Sequence, residues 1–93
     1  MRTIKRTTQF KRDYKRESKG LYAKVLEREL RAVLTLLISD APLPVKYRDH
    51  PPSGEWKDFR DCHVRPDLVL IYRKPGDDTL ELVRLGSHSE LSF

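Results

Sequence analysis

A single cysteine, Cys62, excludes an internal disulfide and, on its own, a cysteine-based zinc site. Long apolar runs are missing too. The longest aliphatic stretch, Leu68 to Ile71, is four residues, against about 20 for a helix that crosses a bilayer, so no membrane span is expected. The basic start Met1-Arg2-Thr3-Ile4-Lys5-Arg6 is not followed by the apolar segment of a secretory signal, which makes the cytoplasm the expected location. No repeat, low-complexity tract or linker interrupts the chain. What is present is 93 residues, 38% hydrophobic and 35% charged, enough apolar material for one modest core. One domain over residues 1–93 is expected, held by packing alone.

The charge is lopsided. Nineteen Lys and Arg against 14 Asp and Glu leave +5, and residues 1–40 carry 11 basic and 5 acidic side chains against 8 and 9 in residues 41–93. All three histidines fall in the nearly neutral second part. A basic segment beside a histidine group suits a polyanionic substrate, because Lys and Arg neutralise phosphates and speed encounter; a solvated helix face is the plainer explanation of the same charge.

Residues 3–7 read as a short first strand, after which Thr7 or Thr8 can cap a helix. From Gln9 to Lys19, Phe10, Tyr14 and later Leu21 gather on one side, with Lys11, Lys15, Lys19, Arg12 and Arg16 on an arc opposite: a basic amphipathic helix. Gly20 breaks it, and a second helix to about Ile38 is predicted to bury Tyr22, Leu26, Leu30, Val33, Leu34, Leu37 and Ile38. Pro42 and Pro44 end the helical part, and a long loop runs to about Gly54. Three strand-like runs follow, Trp56 to Val64, Leu68 to Arg73 and Thr79 to Leu85, separated by turn-forming Arg65-Pro66-Asp67 and Lys74-Pro75-Gly76-Asp77-Asp78. The expected fold is α+β: a short first strand and two N-terminal helices packed on a mainly antiparallel sheet.

Alternation along the first of these runs puts Phe59, Asp61 and His63 on one face and Arg60, Cys62 and Val64 on the other. Asp67 lies just past a turn, His88 follows the last strand, and His50 sits in the long loop. Three histidines with two or three carboxylates can thus meet at one end of the sheet. Cleavage of RNA by its own 2′-hydroxyl needs a base, an acid and cations for the phosphorane, and histidine suits either proton-transfer role near neutral pH. Lys57, Arg60, Arg65 and Arg84 are close enough in sequence to supply charge, with Lys11 and Lys15 on the basic helix. No His-x-x-x-His spacing favours a metal, so none is expected. Cys62 has no base on its strand face and reads as core, while Trp56 and Phe59 fit either base stacking or core packing.

The run Tyr47-Arg48-Asp49-His50-Pro51-Pro52-Ser53-Gly54-Glu55-Trp56-Lys57-Asp58-Phe59-Arg60-Asp61-Cys62-His63-Val64-Arg65-Pro66-Asp67, continued by Leu68 to Tyr72 and Arg84-Leu85-Gly86-Ser87-His88, resembles the YafQ branch of the RelE/ParE toxin superfamily. The resemblance covers about residues 40–91. It implies a RelE-like microbial ribonuclease fold and a type II toxin that cuts mRNA in the ribosomal A site without a cofactor. A cognate antitoxin, acidic and DinJ-like, would hold it inactive, and the toxin–antitoxin complex would bind operator DNA through the antitoxin. The family's catalytic positions fall on His50, Asp61, His63, Asp67 and His88: one histidine as acid, another as base, with Asp61 and Asp67 orienting them. His63 or His50 is favoured for proton transfer and His88 for the region of the scissile phosphate. The branch has an active-site phenylalanine four residues after the late histidine; Ser92 stands there and Phe93 comes next, an RNA-contacting candidate displaced by one. Leu68 replaces a frequent tryptophan and Pro52 a frequent leucine. The alternatives weighed are a ParE-like, non-enzymatic gyrase inhibitor, against which the histidines argue, and a basic RNA-binding module without catalysis.

Overall fold

The computed structural model describes residues 1–51 and 58–91. The chain opens with strand β1 (Thr3–Arg6) and helix α1 (Thr8–Glu17), and after a run of turns forms helix α2 (Leu26–Ile38). A short 3-10 turn, Val45–Tyr47, precedes strands β2 (Arg60–Arg65), β3 (Leu68–Arg73) and β4 (Thr79–Gly86). The sheet order is β1-β4-β3-β2, with β1 parallel to β4 and the other pairs antiparallel.

Thr7 caps α1 as expected: its Oγ1 accepts from Phe10 N at 2.9 Å. The helix stops at Glu17, two residues short of the predicted end, and α2 starts only at Leu26. Leu21, expected on the apolar side of the first helix, instead projects from the intervening turns and is exposed. With Leu21 gone from it, the inward face of α1 is made of Phe10, Asp13 and Glu17. In α2, Leu26, Leu30, Val33 and Leu37 form the buried stripe, while Tyr22, Leu34 and Ile38 pack only partly buried against it. Its end is a Schellman motif, with Ala41 N donating to Leu36 O and Asp40 N to Leu37 O. Asp40 occupies the left-handed position at φ 57°. Its carboxylate then binds Arg2 at 2.8 Å and Lys74 at 2.7 Å, fastening the helix end to β1 and to the β3–β4 turn.

β3 is buried on both faces. Leu68, Leu70 and Tyr72 join the helical core with Cys62, Val64, Leu80, Leu82 and Leu85, whereas Val69 and Ile71 meet Leu91, Phe59 and Val83 on the other side. Because Asp61 pairs with Ile71 and His63 with Val69, both site candidates of β2 stand on the face away from α2. β2 begins at Arg60, later than predicted; Trp56 and Lys57 lie outside the described residues, and Phe59 precedes the strand. A bulge between His63 and Arg65 re-aims the last side chains of this edge strand.

Beyond β1, side chains take over its pairing with β4. Thr7 N donates to Leu82 O and Thr7 Oγ1 to Val83 O; Asp13 Oδ2 accepts from Leu85 N, and Arg16 Nη2 donates to Leu85 O. The first turns of α1 thus complete the ladder that the short strand leaves unfinished.

Candidate active site

Three separate stretches supply the site. His50 is less loop-like than the sequence implied: its N–H and C=O exchange hydrogen bonds with Asp61 at 2.9 and 2.8 Å, an isolated antiparallel bridge that adds one residue pair to the edge of β2. Asp49 secures this bridge. It accepts from the Tyr72 hydroxyl at 2.6 Å and pairs with Arg60 at 3.1 Å. His50 Nδ1 consequently stands 2.7 Å from Asp61 Oδ1, a close approach that lacks hydrogen-bond geometry among the described residues. Asp61 is only 4% exposed, and burial raises its pKa despite the neighbouring imidazoles.

His88 is placed by a capping box that the sequence carries openly as Ser87-His88-Ser89-Glu90. Ser87 Oγ accepts from Glu90 N at 3.1 Å while Glu90 Oε1 accepts from Ser87 N at 2.8 Å. That turn sets His88 over Asp67, whose Oδ1 accepts from His88 N at 3.0 Å and meets His88 Nδ1 at 2.6 Å. These contacts, the backbone amide first, hold the Asp67 carboxyl below its ordinary range. An ionised carboxylate only accepts, so Nδ1 of His88 carries the hydrogen and Nε2 is the nitrogen for proton exchange.

His63 lies between the two pairs, its ring centroid 6.1 Å from that of His50 and 5.0 Å from that of His88. Burial, and then the charge of His88, lowers its pKa. His50, Asp61, His63, Asp67 and His88 are therefore gathered on one face. An imidazole kept neutral beside imidazoles paired with carboxylates is an arrangement that can both take and give protons.

The cationic candidates are largely engaged elsewhere. Arg60 is on Asp49, Arg65 on Glu29 at 2.8 Å, and Arg84 on Asp13 at 2.8 Å. Lys11 and Lys15 are exposed on α1, and Lys57 and Phe93 lie outside the described residues. Arg16, read from the sequence as a solvated cation, instead joins Asp13, Glu17 and Glu90, each at 2.9 Å. It thereby ties α1 to the turn that carries His88. The glycine of Gly86-Ser87-His88 makes room for this clamp: a Cβ there would lie 2.8 Å from Arg16 Nη2 and 3.2 Å from Glu90 Oε1. The burial of Asp13, the clamp formed by Arg16 and the anchoring of the His50 bridge by Asp49 were not legible in the sequence; only the Ser-x-x-Glu box had a local signature. Burial drives the Cys62 thiol far above its usual pKa, and the side chain is fully enclosed, so it is core.

Two helices against one face of a four-stranded mixed sheet, with three imidazoles collected on the other face, define the class: a small α+β protein with a candidate proton-transfer site. The chain belongs to the YafQ family, bacterial toxins of type II toxin–antitoxin systems, whose pattern it matches over residues 2–93. It is 48% identical over 64 residues, 68% of each chain, to the mRNA interferase toxin YafQ of Escherichia coli K12. In the solved complex of E. coli DinJ and YafQ, the matching chain is 37% identical, with 98% of each chain covered and a TM-score of 0.79. A metal-bound toxin from Helicobacter pylori matches at 44% identity over 98% of this chain and 99% of that one, TM-score 0.81. Among the described residues here, no three His, Cys, Asp or Glu side chains form a group fit to hold a metal ion. Nor is any described helix long and apolar enough to cross a membrane.

Proposed function

We propose that this chain is an mRNA interferase, an endoribonuclease that cuts messages in the ribosomal A site through their own 2′-hydroxyl, without a metal. The observation that carries this reading is the convergence of His50, His63 and His88 with Asp61 and Asp67. His63, the imidazole whose protonation is disfavoured, takes the 2′-hydroxyl proton. His88, oriented through Nδ1 by Asp67, protonates the departing 5′-oxygen, and His50 beside buried Asp61 faces the charge of the phosphorane. Lys57, Arg60, Arg65, Arg84, Lys11, Lys15 and Phe93 are read as the surrounding RNA contacts. The chain works as a single toxin domain over residues 1–93, in the cytoplasm where translating ribosomes are. An acidic DinJ-like antitoxin neutralises it, and the complex binds operator DNA through that partner. E. coli YafQ, solved with DinJ, supports the partner, and the curated name of the E. coli relative supports the activity.

The test adds purified protein to ribosomes programmed with a defined message and maps breaks by primer extension. Cuts are expected only in the A-site codon, with naked message intact. His63→Ala and His88→Ala are each expected to slow cleavage roughly 10²–10⁴-fold while circular dichroism stays unchanged. Undiminished cleavage by both variants would overturn the assignment.

A further inference from the structure

Beside His63 the surface opens into a cleft of about 480 Å³, walled by Lys46, Tyr47 and Arg48 of the 3-10 turn, Arg65 and Pro66 at the end of β2, and Glu29 of α2. Its charge is unbalanced. Glu29 is the one carboxylate lining it and is taken by Arg65. Lys46 rests 5.0 Å above the Tyr47 ring, and neither Lys46 nor Arg48 has a carboxylate partner among the described residues. Arg65 is itself only partly satisfied, since its buried Nε has no hydrogen-bond acceptor among the described residues. Arg48 is held at φ 48°, an uncommon conformation for a side chain of this size. A separate groove between α1 and α2, lined by Ile4, Phe10, Leu30, Leu34 and Ile38, is the apolar one; the cleft at His63 is polar and cationic.

We infer that the Lys46–Arg48–Arg65 cleft is a phosphate subsite for the message, holding a backbone phosphate that adjoins the scissile linkage. This rests on the nuclease reading above and deepens it. A cationic hollow sharing a wall with a proton-transfer imidazole receives the polyanion on its way through the site. Two unpaired cations attract phosphate without reading a base. His63 lines this hollow as well as the histidine cluster, which makes the two sites contiguous, and the β2 bulge falls between His63 and Arg65. Lys46 and Arg48 are thus assigned as binding residues, outside the proton-transfer set.

The test compares wild type with the Lys46→Gln/Arg48→Gln double variant, which keeps unbranched side chains and so the backbone at Arg48. Single-turnover cleavage on programmed ribosomes is measured against toxin concentration and salt, with messages carrying an uncharged methylphosphonate at one or the other linkage flanking the cut. Anisotropy with a 2′-O-methyl oligonucleotide reads binding without cleavage. The double variant is expected to bind the oligonucleotide at least tenfold more weakly at low salt. Its log–log salt dependence should be shallower by about 0.7, the slope lost with one phosphate neutralised on a single strand. Saturating cleavage should be preserved, and the sensitivity to one of the methylphosphonates lost. Equal affinity and equal salt slope in both proteins overturn the subsite. Weaker ribosome-dependent cleavage with neither methylphosphonate affecting wild type assigns the cleft to ribosomal RNA and overturns the message. Unchanged RNA binding with impaired antitoxin binding assigns it to the protein partner and also overturns it. A wild-type protein that binds the oligonucleotide through this cleft yet cuts nothing sinks the nuclease reading and keeps the subsite.

Discussion

His63 shows how position sets chemistry for a single side chain. Free histidine titrates near 6.5; here burial, reinforced by the charge of His88, disfavours the imidazolium. Both causes push the same way, so His63 should titrate below 6.5 in a proton-detected NMR titration. Removing one of them with His88→Gln should move that midpoint upward without carrying it to the free value, because burial is the larger cause. The sign for stability follows: protonating His63 costs more in the folded state, so this residue withdraws stability as pH falls through its unfolded pKa. A midpoint unaffected by His88→Gln would contradict the geometry of the two rings. Gly86 makes the complementary point, since its lack of a side chain serves a neighbour. Gly86→Ala should push Arg16 off Leu85 O and off Glu90, lowering saturating cleavage severalfold through a displaced His88 with little change in RNA affinity. Rescue by no second-site change at Arg16 is expected, because a shorter side chain cannot span the same three carboxylates.

At the scale of elements, the notable feature is a helix doing a strand's work. Asp13 is 1% exposed and receives Leu85 N, Arg84 and Arg16 together. Asp13→Asn keeps the shape and removes the charge that three donors share. Breaking a buried pair costs about 3–5 kcal/mol, and partial exposure of both arginines reduces that to roughly 2–3 kcal/mol here. For a chain of this size the loss corresponds to a fall in Tm on the order of 10–15 °C, measurable by calorimetry. Ser87→Ala, which deletes one half of the capping box, should cost about 1 kcal/mol, confined to its turn.

Periodicity made α2 legible, since Leu26, Leu30, Val33 and Leu37 repeat at helical spacing and pack as that spacing demands. Alternation likewise put Asp61 and His63 on one face. What stayed hidden depends on partners far away in the chain. Nothing near Asp13 announces that it will satisfy Leu85, and nothing near His50 announces a backbone bridge to Asp61, because such pairings are chosen by the assembled sheet and not by local propensity. Arg16 misled for the same reason: helical projection counts it as solvated until β4 brings a carbonyl and Glu90 to it.

Over the whole molecule, the +5 charge is less available than the sequence suggests. Arg2, Arg16, Arg60, Arg65, Arg73 and Arg84 all hold carboxylates of the chain itself. Among the described residues, the cations that hold no carboxylate of the chain are Lys5 and Arg6 of β1, Lys11, Arg12 and Lys15 on α1, Lys19, Lys24 and Arg28, and Lys46 and Arg48 at the cleft. An acidic antitoxin segment and an RNA backbone would seek different members of this set. Lys11→Glu/Lys15→Glu should therefore weaken antitoxin association at low salt, with the difference fading as ionic strength rises. Isothermal titration at two salt concentrations checks this, and a salt-independent loss would count against an electrostatic contact.

The turn Ser87 to Leu91 is tied to the body of the protein, among the described residues, by Asp67 and the His63 ring at His88, by Arg16 at Glu90, and by Leu91 seated on Val69 and Ile71. Prying it away would leave every strand of the sheet paired. With His88 acting as proposed, poisonous activity and structural integrity are expected to separate: in mild denaturant, ribosome-dependent cleavage should fall before the circular dichroism of the sheet changes.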